Sequence, residues 1–272
     1  MDEAERREGE WRAMTENRAP LPTDPPPRFG WGALLMTVAG NAWLLFGSIL
    51  LGSLSVPASW VPPRGSWGFV LMRYWARGLL KASGVAVTAE LSPGIEARGN
   101  YVLLANHQSM FDIPALLSTV PGPVRMMAKR SLFRLPFFGW GLAAAGFVPV
   151  DRDDGSKARQ AFAAASAHLA AGTSILLFPE GTRSRTGNLH ELQRGGFLLA
   201  IRHGLRIVPV GLRGTRQIQP RGRWDIRPGP VEVRFGEPID PAAYGVRRVN
   251  DLIGEVERRI ASLAGLSERD GT

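Results

Sequence analysis

The chain has 272 residues, a hydrophobic fraction of 44% and a formal net charge of +9, so it has enough apolar material for a packed core and is not a wholly disordered protein. It contains no cysteine, which excludes disulfides, zinc–thiolate sites and thiol nucleophiles. The excess of positive charge favours acidic partners, namely nucleic acid, anionic lipid or phosphorylated substrates.

The N-terminal part of the chain divides into a charged tail and an uncharged stretch. Residues 1–28 carry charges of both signs and become rich in proline towards their end, so we predict a flexible tail there. No charged residue occurs between Arg28 and Arg64. A helix needs about 20 apolar residues to cross a bilayer. The stretch therefore predicts one span, or two shorter helices dipping into one leaflet if Gly40-Asn41 breaks it.

A basic segment follows the uncharged stretch. Residues 66–81 carry three basic side chains and no acid, in an amphipathic pattern that suits adsorption to an anionic membrane surface. With the tryptophans in and just after the uncharged stretch, this predicts a membrane-associated helical segment over residues 29–81. By the positive-inside rule, we expect the rest of the chain on the cytoplasmic face of the inner (plasma) membrane.

Residues 82–272 alternate between short apolar runs and longer segments with helical periodicity. This alternation predicts an α/β domain, with a mixed, partly parallel sheet flanked by helices. The predicted strands are 85–91, 101–105, 124–128, 146–150, 174–178, 207–212 and 231–235. The predicted helices are 109–120, 132–144, 156–171, 192–203 and 249–264. Residues 213–230 are rich in Arg, Gly and Pro and predict a surface loop.

The first cluster of polar residues follows the strand at 101–105 and consists of Asn106, His107 and Asp112. A carboxylate bonded to one imidazole nitrogen fixes the tautomer and makes the other nitrogen more basic, which is the arrangement of a general base. A structural alternative remains open, because Ser109 and Asp112 also match a capping box at the start of the next helix. One carboxylate is able to serve both purposes.

The second and fourth clusters are weak when taken singly. The second, residues 146–152, is a short apolar strand ending in Asp151-Arg152, which by itself is only a strand with a charged turn. The fourth, residues 207–215, is an apolar strand that contains Pro209. Proline cannot donate to a ladder, so Pro209 predicts an edge or a bulge in this strand.

The third cluster is the turn FPEGTRSRTG, residues 178–187, which follows a buried-looking strand. Ligands in α/β folds collect at such strand ends. Amides near a glycine, a threonine hydroxyl and a guanidinium are groups that bind a phosphate monoester. The alternative is structural, since Glu180 and Arg183 are close enough in sequence to form a local ion pair that shapes the turn.

In this order, the four clusters resemble the motifs of the glycerolipid acyltransferase family, whose members acylate glycerol-3-phosphate or lysophosphatidic acid. The first cluster matches the motif NHxxxxD, and residues 178–184 match FPEGTRS residue for residue. The second matches a short segment ending in arginine, and the fourth an apolar strand with a central proline. The resemblance covers residues 80 to 240, and its first and third motifs are specific in combination.

The resemblance implies transfer of an acyl group from acyl-CoA or acyl carrier protein to the sn-2 hydroxyl of 1-acylglycerol-3-phosphate, giving phosphatidic acid without a cofactor. It implies that His107 is the general base, that Asp112 orients it and that Arg183 holds the acceptor phosphate. The expected substrate-binding residues are Lys129, Arg152, Glu180, Gly181, Thr182 and Arg183. The alternative for Lys129 is an ordinary surface lysine that binds no substrate.

Two rival functions remain open. One keeps the chemistry but acylates another lyso-lipid, such as lyso-ornithine lipid. The other is a non-catalytic lipid- or nucleic-acid-binding protein that uses the +9 charge. The basic residues are spread along the chain without a recognised nucleic-acid-binding motif, so nucleic acid is not an expected partner. The histidines at 168, 190 and 203 lack the spacing of metal ligands, so we predict no metal site.

Overall fold

A computed structural model of the chain describes residues 30–61, 66–96, 98–151 and 155–266. The predicted tail, residues 1–28, lies outside these ranges. The strands are β1 (Val85–Leu91), β2 (Val102–Ala105), β3 (Val124–Lys129), β4 (Val148–Val150), β5 (Ser174–Leu177), β6 (Ile207–Arg213) and β7 (Gly229–Phe235). They form one sheet in the order β1-β7-β6-β2-β5-β3-β4. Among these seven strands of the described residues, β6 and β7 pair antiparallel and the other neighbours pair parallel, which confirms the predicted mixed, partly parallel sheet.

Helices cover both faces of this sheet. The α-helices are α1 (Trp31–Ala58), α2 (Ser66–Ala82), α3 (Asp112–Thr119), α4 (Phe138–Ala144), α5 (Gly155–Ala170), α6 (Gly195–His203), α7 (Thr215–Ile218) and α8 (Val249–Ala264). Helices α2, α3 and α4 pack on one face, and α5, α6 and α8 on the other. Side chains alternate between the faces of a strand, so Leu103 enters the first core while Val102 and Leu104 enter the second.

Helix α1 has small residues on its packed side and large apolar residues on its exposed side. Its buried residues are Thr37, Gly40, Gly47, Ser48, Gly52 and Ser55. Its exposed residues include Leu35, Val38, Leu44, Leu45, Phe46, Ile49, Leu50 and Leu54. It is the one helix of the described residues that is long and apolar enough to cross a membrane. Of its most apolar 18 residues, 22% are buried. Small residues on the packed side and large ones outside are typical of a helix that faces lipid, which indicates membrane association.

The packed side of α1 is held by close contacts with α2 and the residue that follows it. Trp43 Nε1 donates to Trp75 O over 2.9 Å, and Trp75 Nε1 donates to Ser48 Oγ over 3.1 Å. A Cβ at Gly40 would lie 2.5 Å from Ser83 Oγ, so only glycine permits this approach. The helix runs unbroken through Gly40 and Asn41. The alternative of two shorter helices is therefore wrong, because the glycine here serves packing.

Several predicted helix boundaries differ from the structure. The helix expected at 132–144 is a 3₁₀ helix, Arg130–Arg134, followed by α4, because Pro136 interrupts it and Phe137 adopts φ 63°. The helix expected from residue 109 begins at Asp112, because residues 106–111 form a loop at the end of β2. The helix expected from residue 192 begins at Gly195.

One prediction in the last third of the chain is wrong, and one of two alternatives for another is wrong. Residues 213–230 are not simply a surface loop, because they contain α7 and because Ile218 and Ile226 are buried against the core. Pro209 does not mark a sheet edge, since β6 lies between β7 and β2. The other alternative, a bulge, agrees with the structure, because three residues of the segment after β7 lie opposite two residues of β6 between the pairs Val210–Phe235 and Ile207–Ile239.

Candidate active site

The first and third clusters lie side by side at one edge of the sheet. β2 and β5 are parallel neighbours with Leu104 opposite Leu177, so the loops that follow them leave the sheet together. The backbone joins the loops directly, because Ser184 N donates to His107 O over 2.8 Å. The two motifs therefore form a single site outside the carboxyl ends of the strands.

His107 and Asp112 are hydrogen-bonded, as their spacing predicted. The distance between His107 Nδ1 and Asp112 Oδ2 is 2.7 Å. The Asp112 side chain is fully buried, while 13% of the His107 side chain is exposed. With Asp112 ionised, Nδ1 carries the proton and Nε2 presents its lone pair. Within the described ranges, Nε2 has no hydrogen-bond partner, so the basic nitrogen is available to a substrate.

Asp112 also braces the loop before α3. Its Oδ2 accepts from Gln108 N over 2.7 Å and from Ser109 N over 2.9 Å. Ser109 Oγ in turn accepts from Phe111 N over 3.1 Å. The predicted bond from Asp112 back to Ser109 N–H is thus present together with the contact with His107, but Ser109 does not cap the helix, whose N-cap is Phe111. Three donors on one buried oxygen hold the side chain in a fixed orientation.

Asn106 anchors this loop to the sheet. Its Oδ1 accepts from Leu212 N over 2.7 Å, and its Nδ2 donates to Leu212 O over 3.0 Å, on the neighbouring strand β6. Only an amide side chain both donates and accepts in this way. The sequence matched Asn106 to a motif but suggested no role for it. The signal was its place at the end of a fully buried strand, where a polar side chain must find partners.

Glu180 holds the two loops against each other. It is 5% exposed; its Oε1 accepts from His107 N over 2.6 Å and its Oε2 accepts from His190 N over 2.9 Å. These bonds to backbone amides place His107 and make Glu180 a positioning residue. The substrate-binding role expected for Glu180 stays a prediction.

The turn after Glu180 carries the predicted phosphate ligands. Gly181 adopts φ 74°, a conformation that favours glycine, and its N–H donates to Phe178 O over 3.0 Å. That amide is therefore used by the turn. Thr182 is exposed and Arg183 is half-buried. Burial and then the charge of Arg221 lower the pKa of Arg183, whereas the Asp112 carboxylate raises it, so Arg183 lies within electrostatic reach of the His107–Asp112 pair.

The two remaining predicted ligands are less closely tied to the site. Lys129 ends β3, is exposed, and lies at the same sheet edge with β5 between its strand and β2. Across the described ranges it makes no side-chain bond to either loop. Arg152 lies outside the described residues, so its predicted role rests on the sequence alone.

Phe178 is a site residue that the sequence left without a role. Its ring stacks on the His107 imidazole with a centroid distance of 3.9 Å and an interplanar angle of 14°. Together with Asp112, the stacked ring fixes the plane of the imidazole. Its position at the start of the third cluster was the available signal, but only the fold shows that β2 and β5 are neighbours.

The arrangement has the parts of a general-base site with an anion subsite. An imidazole with a free nitrogen is oriented by a buried carboxylate and an aromatic ring. The adjoining loop, which is bonded to His107 O through Ser184 N, carries the Arg183 guanidinium. Such a site is suited to remove a proton from a hydroxyl whose molecule also carries a negative group.

Comparison with known proteins identifies similar chains. The Acyltransferase family matches residues 86–213. The 1-acyl-sn-glycerol-3-phosphate acyltransferase of Salmonella typhimurium is 33% identical over 195 residues, which cover 70% of this chain and 79% of that protein. The chloroplastic 1-acyl-sn-glycerol-3-phosphate acyltransferase LPAT1 of Arabidopsis thaliana is 36% identical over 161 residues, 59% of this chain. This match spans only 44% of the plant protein.

A solved structure shares the fold. It is the crystal structure of the 1-acyl-sn-glycerophosphate (LPA) acyltransferase PlsC from Thermotoga maritima, with a TM-score of 0.74 and 24% sequence identity. The alignment covers 88% of this chain and 98% of that chain. The likeness therefore extends beyond the sheet to most of the described helices.

Proposed function

The chain belongs to the glycerolipid acyltransferase family, and on that basis we propose that it acylates the sn-2 hydroxyl of 1-acylglycerol-3-phosphate to give phosphatidic acid. The acyl donor is acyl-CoA or acyl carrier protein. The observation that carries this proposal is the His107–Asp112 hydrogen bond of 2.7 Å, formed on a loop that is bonded to the loop carrying Arg183. A base and a cation on adjoining loops match a substrate with a hydroxyl and a phosphate.

The chemical step uses His107 first as a base and then as an acid. Nε2 takes the proton of the acceptor hydroxyl while that oxygen attacks the thioester carbonyl. The tetrahedral intermediate collapses with cleavage of the C–S bond, and the imidazolium returns its proton to the departing thiolate. Asp112 stabilises the imidazolium and keeps the ring in one tautomer. No covalent enzyme intermediate is needed, which suits a chain without cysteine.

Arg183 binds the phosphate of the acceptor. A guanidinium offers planar N–H donors that match phosphate oxygens. The exposed hydroxyl of Thr182 is a second donor on the same turn. Lys129 and Arg152 are additional cations for the donor or the acceptor. Glu180 and Gly181 act by shaping the turn that carries these groups.

Membrane attachment places this chemistry where the substrates are. We assign residues 29–81 to a membrane-associated segment and residues 82–272 to the acyltransferase domain, on the cytoplasmic face of the inner (plasma) membrane. The exposed apolar side of α1 supports the attachment, and the exposed basic side chains of Arg77 and Lys81 suit an anionic surface. An acyltransferase domain held at the membrane surface acylates a lyso-lipid without drawing the acyl chain of that lipid into water.

The acceptor assay tests the proposed function directly. The purified full chain, in mixed micelles, is given radiolabelled acyl-CoA or acyl carrier protein and one acceptor at a time. We expect labelled phosphatidic acid from 1-acylglycerol-3-phosphate. Label that appears only in ornithine lipid would show that the acceptor is lyso-ornithine lipid. No transfer to any acceptor, with lipid binding intact, would favour a non-catalytic lipid-binding protein.

A further inference from the structure

A loop over residues 219–227 lies against the site, and no motif in the sequence pointed to it. Ser109 Oγ donates to Gln219 O over 2.8 Å, and Ser109 forms an antiparallel bridge with Pro220. Arg221 Nη1 donates to Arg183 O over 2.8 Å. The loop is therefore bonded both to a residue that donates its N–H to Asp112 and to the arginine of the third cluster.

The other end of this loop is fixed on the membrane-associated helix. Thr37 Oγ1 donates to Ile226 O and accepts from Ile226 N, each over 2.9 Å. A Cβ at Gly40 would lie 2.7 Å from Ile226 Cδ1, so the helix and the loop are in close contact. Arg221 is thus carried on a segment that is held at both ends, which keeps its guanidinium near Arg183 before any ligand binds.

Arg221 is bonded through its guanidinium to the backbone of Arg183, so two positively charged residues lie together. In the part of the chain that the structure describes, neither guanidinium takes part in a salt bridge. Arg223, on the same loop, differs because its Nε lies 2.5 Å from Asp225 Oδ1. Like charges held close repel each other. An anion that binds both guanidiniums would remove this repulsion.

We propose that Arg221 is a second ligand of the acceptor phosphate, and that the Arg183–Arg221 pair selects acceptors that carry a phosphate monoester. This inference rests on the proposed function. Arginine has five N–H donors, of which Arg221 spends one on Arg183 O, so donors remain for phosphate oxygens. A monoester dianion balances two guanidiniums, whereas a phosphodiester carries one negative charge.

The electrostatics of Arg183 agree with this reading. Burial lowers its pKa first, the charge of Arg221 lowers it further, and the Asp112 carboxylate raises it, so Arg221 makes the charged form of Arg183 less favourable than it would otherwise be. A dianion between the two side chains reverses that effect. The second pKa of a phosphate monoester is about 6, so the acceptor should bind less tightly as the pH falls below about 6 and its phosphate takes up a proton.

Coenzyme A also carries a phosphate monoester, so the test must separate the two substrates. We would measure KM for 1-acylglycerol-3-phosphate and for acyl-CoA in mixed micelles of the full chain, with Arg221→Gln, Arg221→Lys and Arg223→Gln as variants. Arg223→Gln is the matched control, because it removes an arginine charge from the same loop. Melting temperatures are recorded for each variant.

The pair predicts a specific pattern. Arg221→Gln should raise the acceptor KM roughly 10- to 100-fold, as expected for one charge-assisted hydrogen bond, with little change in kcat or in the KM of acyl-CoA. The acceptor KM of Arg221→Lys should lie between those of wild type and Arg221→Gln, since lysine keeps the charge but lacks the paired N–H donors of a guanidinium. Arg223→Gln should stay within about twofold of wild type. The rise in acceptor KM below about pH 6 should be smaller in Arg221→Gln.

Three results would overturn the inference. An unchanged acceptor KM in Arg221→Gln, with wild type active on the acceptor, would remove Arg221 from the site and leave the proposed function standing. A rise confined to the KM of acyl-CoA would assign Arg221 to the donor. Wild type that does not acylate a phosphate-bearing acceptor would end the proposed function and the inference together.

Discussion

Replacing Asp112 by asparagine isolates the effect of the buried charge on His107. The amide oxygen is able to take the place of Oδ2, which accepts from His107 Nδ1, Gln108 N and Ser109 N. The NH2 group then lies where Oδ1 is buried without a partner. Asp112→Asn therefore removes the charge and keeps the three contacts and the tautomer of the imidazole.

The attraction that Asp112→Asn removes is largest when the His107 imidazole becomes positively charged. Opposite unit charges about 4 Å apart attract with about 4 kcal/mol at an effective dielectric constant of about 20. A tenfold change in rate corresponds to about 1.36 kcal/mol. We therefore expect kcat to fall on the order of 10³-fold in Asp112→Asn. The KM of each substrate should change little, because Asp112 is fully buried. The unpaired NH2 group should also lower the free energy of unfolding by about 1–3 kcal/mol.

The assay follows the thiol released from acyl-CoA with a thiol reagent, which the protein does not disturb because it has no cysteine. Asp225→Asn is the matched control, since Asp225 is also buried but bonds to Arg223 and Arg227 at distances of 2.5 and 3.5 Å. Its kcat should stay near that of wild type. If folded Asp112→Asn kept kcat within about tenfold of wild type, the argument that this charge stabilises the imidazolium would be refuted.

Three other substitutions test the packing around the site. Thr37→Val leaves the buried N–H and C=O of Ile226 unpaired, so thermal unfolding in detergent should show a loss of about 1–3 kcal/mol; an unchanged stability would contradict this. Glu180→Gln sets an NH2 group against a backbone N–H of the site and should lower both stability and kcat; a melting temperature and a kcat equal to those of wild type would contradict this. Burial and then the charge of Arg125 lower the pKa of His168 below 6.5, so the unfolded chain protonates first and stability is lost as the pH falls below about 6.5. His168→Gln should flatten the melting temperature between about pH 7 and about pH 5, and an unaltered pH profile would count against it.

The sheet was the most predictable part of the fold. The central strands are short apolar runs, and β2 and β5 are buried on both faces, as parallel central strands must be. Their order in the sheet was not predictable from such runs. Parallel β2 and β5 are separated by about seventy residues of chain, and only their pairing places Phe178 on His107.

The membrane-associated segment was predicted in kind but not in detail. Absence of charge over residues 29–63 correctly indicated a long apolar helix. Gly40 looked like a break because glycine weakens an isolated helix. In the structure it permits close contact with Ser83 and Ile226, and those partners lie far away in the sequence.

The site was predicted where one motif contained both partners. His107 and Asp112 are five residues apart, and the bond between them follows from a strand that leads into a helix. Arg221 lies in a stretch whose composition is typical of a surface loop, so its sequence carried no signal of a site. Its approach to Arg183 depends on bonds from Ser109 and Thr37 to the two ends of the loop.

The most direct measurement is the rate of acyl transfer by His107→Ala, with acyl-CoA and 1-acylglycerol-3-phosphate as substrates and a melting curve to verify folding. In this variant kcat should fall roughly 10²–10⁴-fold, the usual contribution of a general base, with both substrates still bound. Transfer at close to the wild-type rate by the folded variant would contradict the assignment of His107 as the base.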